Sequence, residues 1–143
     1  MNLDDFKQIL ISQTFDKWEW VEQQTDNRGQ CVLVCKIPFK GLEHVGKVIV
    51  SATTSGVVGV RIAWGKVSPS IEVFKLLNHF NDCMTFSKAY ISKYKGAYSL
   101  YTEHFSTEVN EVESVKEILN YLGYIADEHQ FEYLKPLLVL VRE

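Results

Sequence analysis

The side chains able to hold a metal or act as nucleophiles are few and scattered. The histidines are His44, His79, His104 and His129, and the cysteines are Cys31, Cys35 and Cys83. A structural zinc needs four ligands, usually in closely spaced pairs. No histidine reads as having a second histidine or a cysteine at ligand spacing, and Cys31 and Cys35 lack two further ligands. Those two cysteines read instead as small apolar residues of one strand. Four residues at about 3.3 Å each separate them too far for a disulfide. No Gly-x-Ser-x-Gly elbow is present. Gly59 to Lys66 fails as a phosphate loop, because five residues separate Gly59 from Gly65 and Val67 stands where a Mg²⁺-binding hydroxyl is required. Glu108, Glu111 and Glu113 suggest an acid–base pair. Carboxylates at the positive end of a helix dipole explain them equally well. The sequence therefore predicts no catalytic residue, no cofactor and no metal.

One cluster carries binding chemistry. Lys88, Lys93 and Lys95 interleave with Tyr90, Tyr94, Tyr98 and Tyr101, a mixture that on a sheet can stack and steer single-stranded nucleic acid. The totals oppose that use. The chain has a net charge of −3, and its arginines are only Arg28, Arg61 and Arg142, whereas nucleic-acid binders carry a basic surplus. Tyrosines that lean on a helix and keep their hydroxyls wet are the ordinary alternative. The expected partners therefore exclude nucleic acid.

These residues must be positioned by a helix that leads into a hairpin. Ser68 is expected to cap a helix over Pro69 to Asp82, with Pro69 at its first position and Glu72 favoured by the dipole. At about 100° per residue, Ile71, Val73, Phe74, Leu76, Leu77, Phe80 and Met84 cover more than half of its circumference. Asn78 and Asn81 fall inside that apolar arc. Buried amides need hydrogen-bond partners, so both are expected to tie the helix to neighbouring backbone. Strands over Thr85–Ser92 and Ala97–Phe105 follow, around a loop at Lys93 to Gly96.

Upstream, Asn2 caps a first helix with Phe6, Ile9 and Leu10 on one face, ending near Gln13. Lys17–Gln24, with Trp18 and Trp20 in alternation, and Cys31–Ile37 form a hairpin around Asp26 to Gly29. Pro38 to Glu43 reads as a loop. Val45–Thr53 and Val57–Trp64 form a second hairpin, in which Val58, Val60, Ile62 and Trp64 share one face and Arg61 takes the other. A capping box at Asn110 to Glu113 opens a last helix, with Val112, Val115, Ile118, Leu119, Leu122, Ile125 and Ala126 at helical spacing. Gly123 and Pro136 interrupt it, and the tail from Phe131 reads as helix. The 143 residues make one domain of α+β class. An antiparallel sheet carries helices on one face, in the order α-β-β-β-β-α-β-β-α.

The run Lys75-Leu76-Leu77-Asn78-His79-Phe80-Asn81, then Phe86-Ser87-Lys88-Ala89-Tyr90 and Gly96-Ala97-Tyr98-Ser99-Leu100, resembles the YbjN family of bacterial proteins. That family has a Leu-Asn-x-x-Asn helix, an aromatic strand, a glycine turn, a second strand and a long C-terminal helix ending near an Ala-Asp, here Ala126-Asp127. The similarity is best from Ile71 to Asp127. It implies a fold like that of type III secretion chaperones, small acidic homodimers that hold an unfolded client segment without cofactor or catalysis. Four strands precede the central helix here, where those chaperones have three, so their client surface is not carried over.

The resemblance and the missing chemistry together imply a non-enzymatic protein-binding module, chaperone-like or regulatory, with a protein client or its own copy as partner. A small-molecule-binding protein or an enzyme whose site assembles only in three dimensions is the alternative. Phe6, Ile9, Leu10, Trp18 and Trp20 are the candidate contact residues, with burial in the core as the competing reading. The acidic start and the lack of a long apolar run predict no membrane span. Unpaired cysteines point to the cytoplasm.

Overall fold

The computed structural model describes residues 8, 19–25, 30–39, 42–53, 56–84, 87–106, 113, 116–121 and 132–141. They build a six-stranded sheet around which the helices are placed. The strands are β1 (Glu19–Thr25), β2 (Gln30–Phe39), β3 (Leu42–Thr53), β4 (Gly56–Lys66), β5 (Lys88–Tyr94) and β6 (Ala97–Phe105). Their spatial order is β1-β2-β3-β4-β6-β5, and every neighbouring pair is antiparallel. The class is α+β, as the alternation of apolar residues predicts.

Several strands differ from the sequence reading. Strand β5 begins at Lys88 and runs on to Tyr94, so the reversal expected over Lys93 to Gly96 is confined to Lys95-Gly96. The loop expected at Pro38 to Glu43 is mostly strand, because β2 and β3 stay paired out to Pro38–Glu43 and Phe39–Leu42. Proline lacks a donor but tolerates extended backbone wherever the ladder does not use its nitrogen. In β1 the register slips between Trp20 and Glu22, so the strict alternation read from Trp18 onwards breaks at a bulge. Trp20 pairs with Cys35 there. Cys31 and Cys35 both lie in β2, as their spacing predicts. Phe6, Ile9, Leu10 and Trp18 lie outside the described residues.

Helix α1 (Ile71–Cys83) joins β4 to β5. Its cap is Ser70, not Ser68: the Ser70 hydroxyl accepts the Val73 N–H at 3.1 Å. Pro69 thus precedes the cap instead of opening the helix. One stripe is buried, namely Val73, Leu77 and Phe80 of α1 and Met84 just past its end. The broad apolar arc is not buried whole, for Ile71 is 75% and Phe74 50% exposed. A helix resting on a single sheet face has only one side to bury. Asn78 and Asn81 consequently lie exposed, which corrects the expectation that both are embedded. Asn81 still reaches backbone. Its carboxamide accepts the Ala89 N–H at 2.7 Å and donates to the Ala89 carbonyl at 3.0 Å.

The core lies between α1 and the face of the sheet carrying Val48, Val60, Ile62, Trp64, Leu100 and Thr102. Trp64, Phe80, Ile62, Leu100 and Ile118 are its largest fully buried residues, each worth about 1.5–3 kcal/mol of burial. From the predicted last helix, Glu113 and residues 116–121 are helical. The tail forms the short helix α2 (Lys135–Leu138), whose Leu137 and Leu138 are buried.

Candidate interaction surface

The sheet presents two faces of different chemistry. On β4, Val60, Ile62 and Trp64 are buried while Arg61 and Ala63 are half-buried. Register carries that alternation across the sheet. Arg61 pairs with Glu103, Ala63 with Tyr101, and Tyr101 with Tyr90. These residues therefore share the face away from α1.

They interlock there. The Arg61 guanidinium lies 5.1 Å from the Tyr101 ring centre, and Tyr101 stacks on Tyr90 at 5.5 Å with 21° between the planes. The Tyr90 hydroxyl donates to Glu103 Oε2 at 2.9 Å. Burial raises the Tyr90 phenol above its ordinary range, an effect that Arg61 opposes and Glu103 reinforces. The phenol stays protonated and remains a donor. A cation, two aromatic rings and a carboxylate in contact form a surface suited to recognising protein, since Tyr and Arg are enriched at interfaces.

The interleaved lysines and tyrosines of the sequence do not form one row. Tyr90 and Tyr101 take the face away from α1, whereas Lys93 pairs with Tyr98 on the other, its Nζ 5.9 Å from that ring. Lys95 lies 5.3 Å from the Tyr94 ring beyond the strand end. Sequence adjacency across a hairpin alternates faces, so a mixed run is divided between them.

The helix-side face holds a polar network that locks residues 116–121 onto β6. Trp64 Nε1 donates to Thr102 Oγ1 at 2.8 Å, and the Tyr121 and Ser87 hydroxyls are 3.2 Å apart. Burial pushes the Tyr121 phenol up to about 12, against smaller lowering from Ser87 and Thr102. His104 stacks on Tyr121 at 5.3 Å. Its Nε2 is 2.7 Å from Glu117 Oε1, while the Ser106 hydroxyl donates to Glu117 Oε2 at 2.7 Å. Sequence reasoning missed Glu117. Its only signal was a place on the last helix, which says nothing of the strand it meets.

One reading of the histidines needs correction. His79 and Cys83 are one turn apart on α1, and the Cys83 sulfur lies 3.9 Å from both ring nitrogens. That is ligand spacing on a helix. The pair supplies two of the four ligands a structural zinc takes, and among the described residues no three of His, Cys, Asp and Glu gather. A cavity of about 320 Å³ lies near the β5–β6 turn, lined by Lys66, Val67, Ser68, Pro69, Gly96, Ala97 and Tyr98. His79, His104 and Cys83 lie outside it. No helix among the described residues is long and apolar enough to cross a membrane. No protein-family model matches the chain, and no curated protein or solved structure matches it either.

Proposed function

We propose that this chain is a non-enzymatic protein-binding module, chaperone-like or regulatory, acting as a homodimer in a bacterial cytoplasm. The observation that carries the reading is the sheet face opposite α1. There Arg61, Tyr101, Tyr90 and Glu103 form one half-buried cluster, with exposed lysines Lys47 and Lys88 in the same register rows. Preformed aromatic and arginine clusters lose little conformational entropy on binding and are common energetic centres of interfaces. The resemblance to YbjN proteins, and through them to a secretion-chaperone fold, supports the same class of function.

Two measurements test it. Light scattering over a concentration series should give twice the chain mass, and a strict monomer at high concentration refutes the homodimer. The Arg61→Ala/Tyr101→Thr variant, used as bait beside the parent in native cytoplasm, should lose the proteins that the parent retains while keeping the circular-dichroism spectrum of the folded parent. An unchanged set of retained proteins refutes the assignment of this face.

A further inference from the structure

Among the described residues, the outer edge of β5 is unpaired over two residues and closed at one end by a side chain. Tyr94 and Ala97 pair across a two-residue turn, and both central residues have positive φ, Lys95 at 50° and Gly96 at 82°. That is a type I′ turn, whose flanking residues exchange ladder hydrogen bonds. Antiparallel ladders repeat those bonds at every second pair. Ser92–Ser99, Tyr90–Tyr101 and Lys88–Glu103 therefore bond as Tyr94–Ala97 does. Ala89, Ile91 and Lys93 must then aim their N–H and C=O groups away from β6.

Two independent contacts agree with this parity. The Tyr98 carbonyl, opposite Lys93, turns to the far side and accepts the Val67 N–H at 3.0 Å. On β5 the outward N–H and C=O of Ala89 are both taken by the Asn81 carboxamide, at 2.7 and 3.0 Å. A side-chain amide thus stands where a peptide group of a seventh strand would stand. Natural sheets block open edges by such local devices. The block ends there. The outward groups of Ile91 and Lys93 have no hydrogen-bond partner among the described residues, and Lys93 is exposed.

Charge selects the occupant. Lys88 and Lys93 lie in β5 and Lys95 in its turn, and the strand contains no Asp or Glu. This edge is cationic on a chain whose net charge is −3. A second copy pairing here would set the same three lysines against themselves, and like charges across a ladder destabilise it. An acidic strand gains where a second copy loses.

We propose that the edge at Ile91 and Lys93 accepts an extended acidic segment of a partner protein as an added strand, with Asn81 fixing where it stops. This inference rests on the protein-binding reading and specifies the chemistry of the partner. In such complexes backbone bonds supply affinity, and side chains at alternate positions supply specificity.

The probe is a dye-labelled peptide of alternating Glu and Val, compared with a matched Lys–Val peptide and an oligothymidine. Binding is followed by fluorescence anisotropy, and amide exchange by NMR on the whole chain. The Glu–Val peptide should slow exchange at Ile91 and Lys93 about tenfold. It should leave Tyr90 and Ser92, already bonded to β6, unchanged. Ile91→Pro removes a donor that β6 does not use, so the sheet should persist while peptide binding is lost. If that variant fails to fold, Lys88→Glu/Lys93→Glu/Lys95→Glu should reverse the preference towards the Lys–Val peptide.

Peptide binding with unchanged exchange at both residues overturns the edge assignment, and equal binding of the two peptides overturns the charge argument. Equal protection by oligothymidine makes the occupant nucleic acid, and a dimer dissolved by Ile91→Pro makes it a second copy. Retained protein capture without edge protection defeats this inference alone. Loss of capture together with binding of neither peptide defeats the broader reading as well.

Discussion

Replacing Asn81 by alanine separates the two asparagines that look equivalent in sequence. Asn81 makes two hydrogen bonds to Ala89, at 2.7 and 3.0 Å, and each such bond contributes about 0.5–1.5 kcal/mol net. Ala89 is itself buried but lies against the exposed Asn81, so water admitted by the truncation can partly replace the lost amide. The expected destabilisation is therefore about 1–2 kcal/mol, less than complete burial of two unpaired groups would give. For a chain of this size that lowers the melting temperature by roughly 3–8 °C. Asn78 is exposed, so Asn78→Ala should stay within about 0.5 kcal/mol of the parent. Urea denaturation followed by circular dichroism measures both, and amide exchange at Ala89 should quicken only in the Asn81 variant. Equal losses in the two variants, or unchanged exchange at Ala89, would refute the argument that position on the rim decides their roles.

A methyl group added at Gly59 would lie 2.5 Å from Phe105 Cδ1 and 3.2 Å from the His104 carbonyl. Gly59→Ala should destabilise in urea melts, and Phe105→Ala in the same chain should recover part of the loss, giving a non-additive double-mutant cycle. Gly96 has open space around it but a φ of 82°, so Gly96→Ala should cost about 1 kcal/mol through backbone strain alone, with Gly96→Asn closer to the parent. Tyr121→Phe removes the hydroxyl that meets Ser87 and should cost about 1–3 kcal/mol by leaving a buried polar group unpaired. The Tyr121 phenol is raised from 10.0 to about 12 in the folded chain. The folded state then holds its proton after the unfolded state has released it. Stability from this group is complete below pH 10 and declines as pH rises towards 12, and alkaline denaturation of Tyr121→Phe should show a shallower decline.

Much of the fold was legible because strands and helices write their periods into the chain. Val60, Ile62 and Trp64 at every second position announced the buried face of β4, and Gly96 announced a reversal, expected over Lys93 to Gly96 but confined to Lys95-Gly96. The exact start of α1 was not legible, since Ser68 and Ser70 are chemically alike and only geometry shows which hydroxyl reaches an orphan N–H. Residues 38–43 read as a loop because proline and glycine break most strands, yet pairing between β2 and β3 outweighed local preference.

The sequence by itself determined the class of elements, the apolar stripe of α1 and the composition of the tyrosine–lysine hairpin. It did not decide what covers each stripe. Ile71, Phe74 and Asn78 belong to the same apolar arc as Phe80, but a sheet touches one side of a helix and leaves the other wet. Nor do residue types reveal that β6 returns between β4 and β5, which brings Arg61, Tyr101 and Tyr90 into one stack and turns β5 into an edge. Contacts between residues far apart in the chain depend on strand order, and strand order is a property of the folded whole.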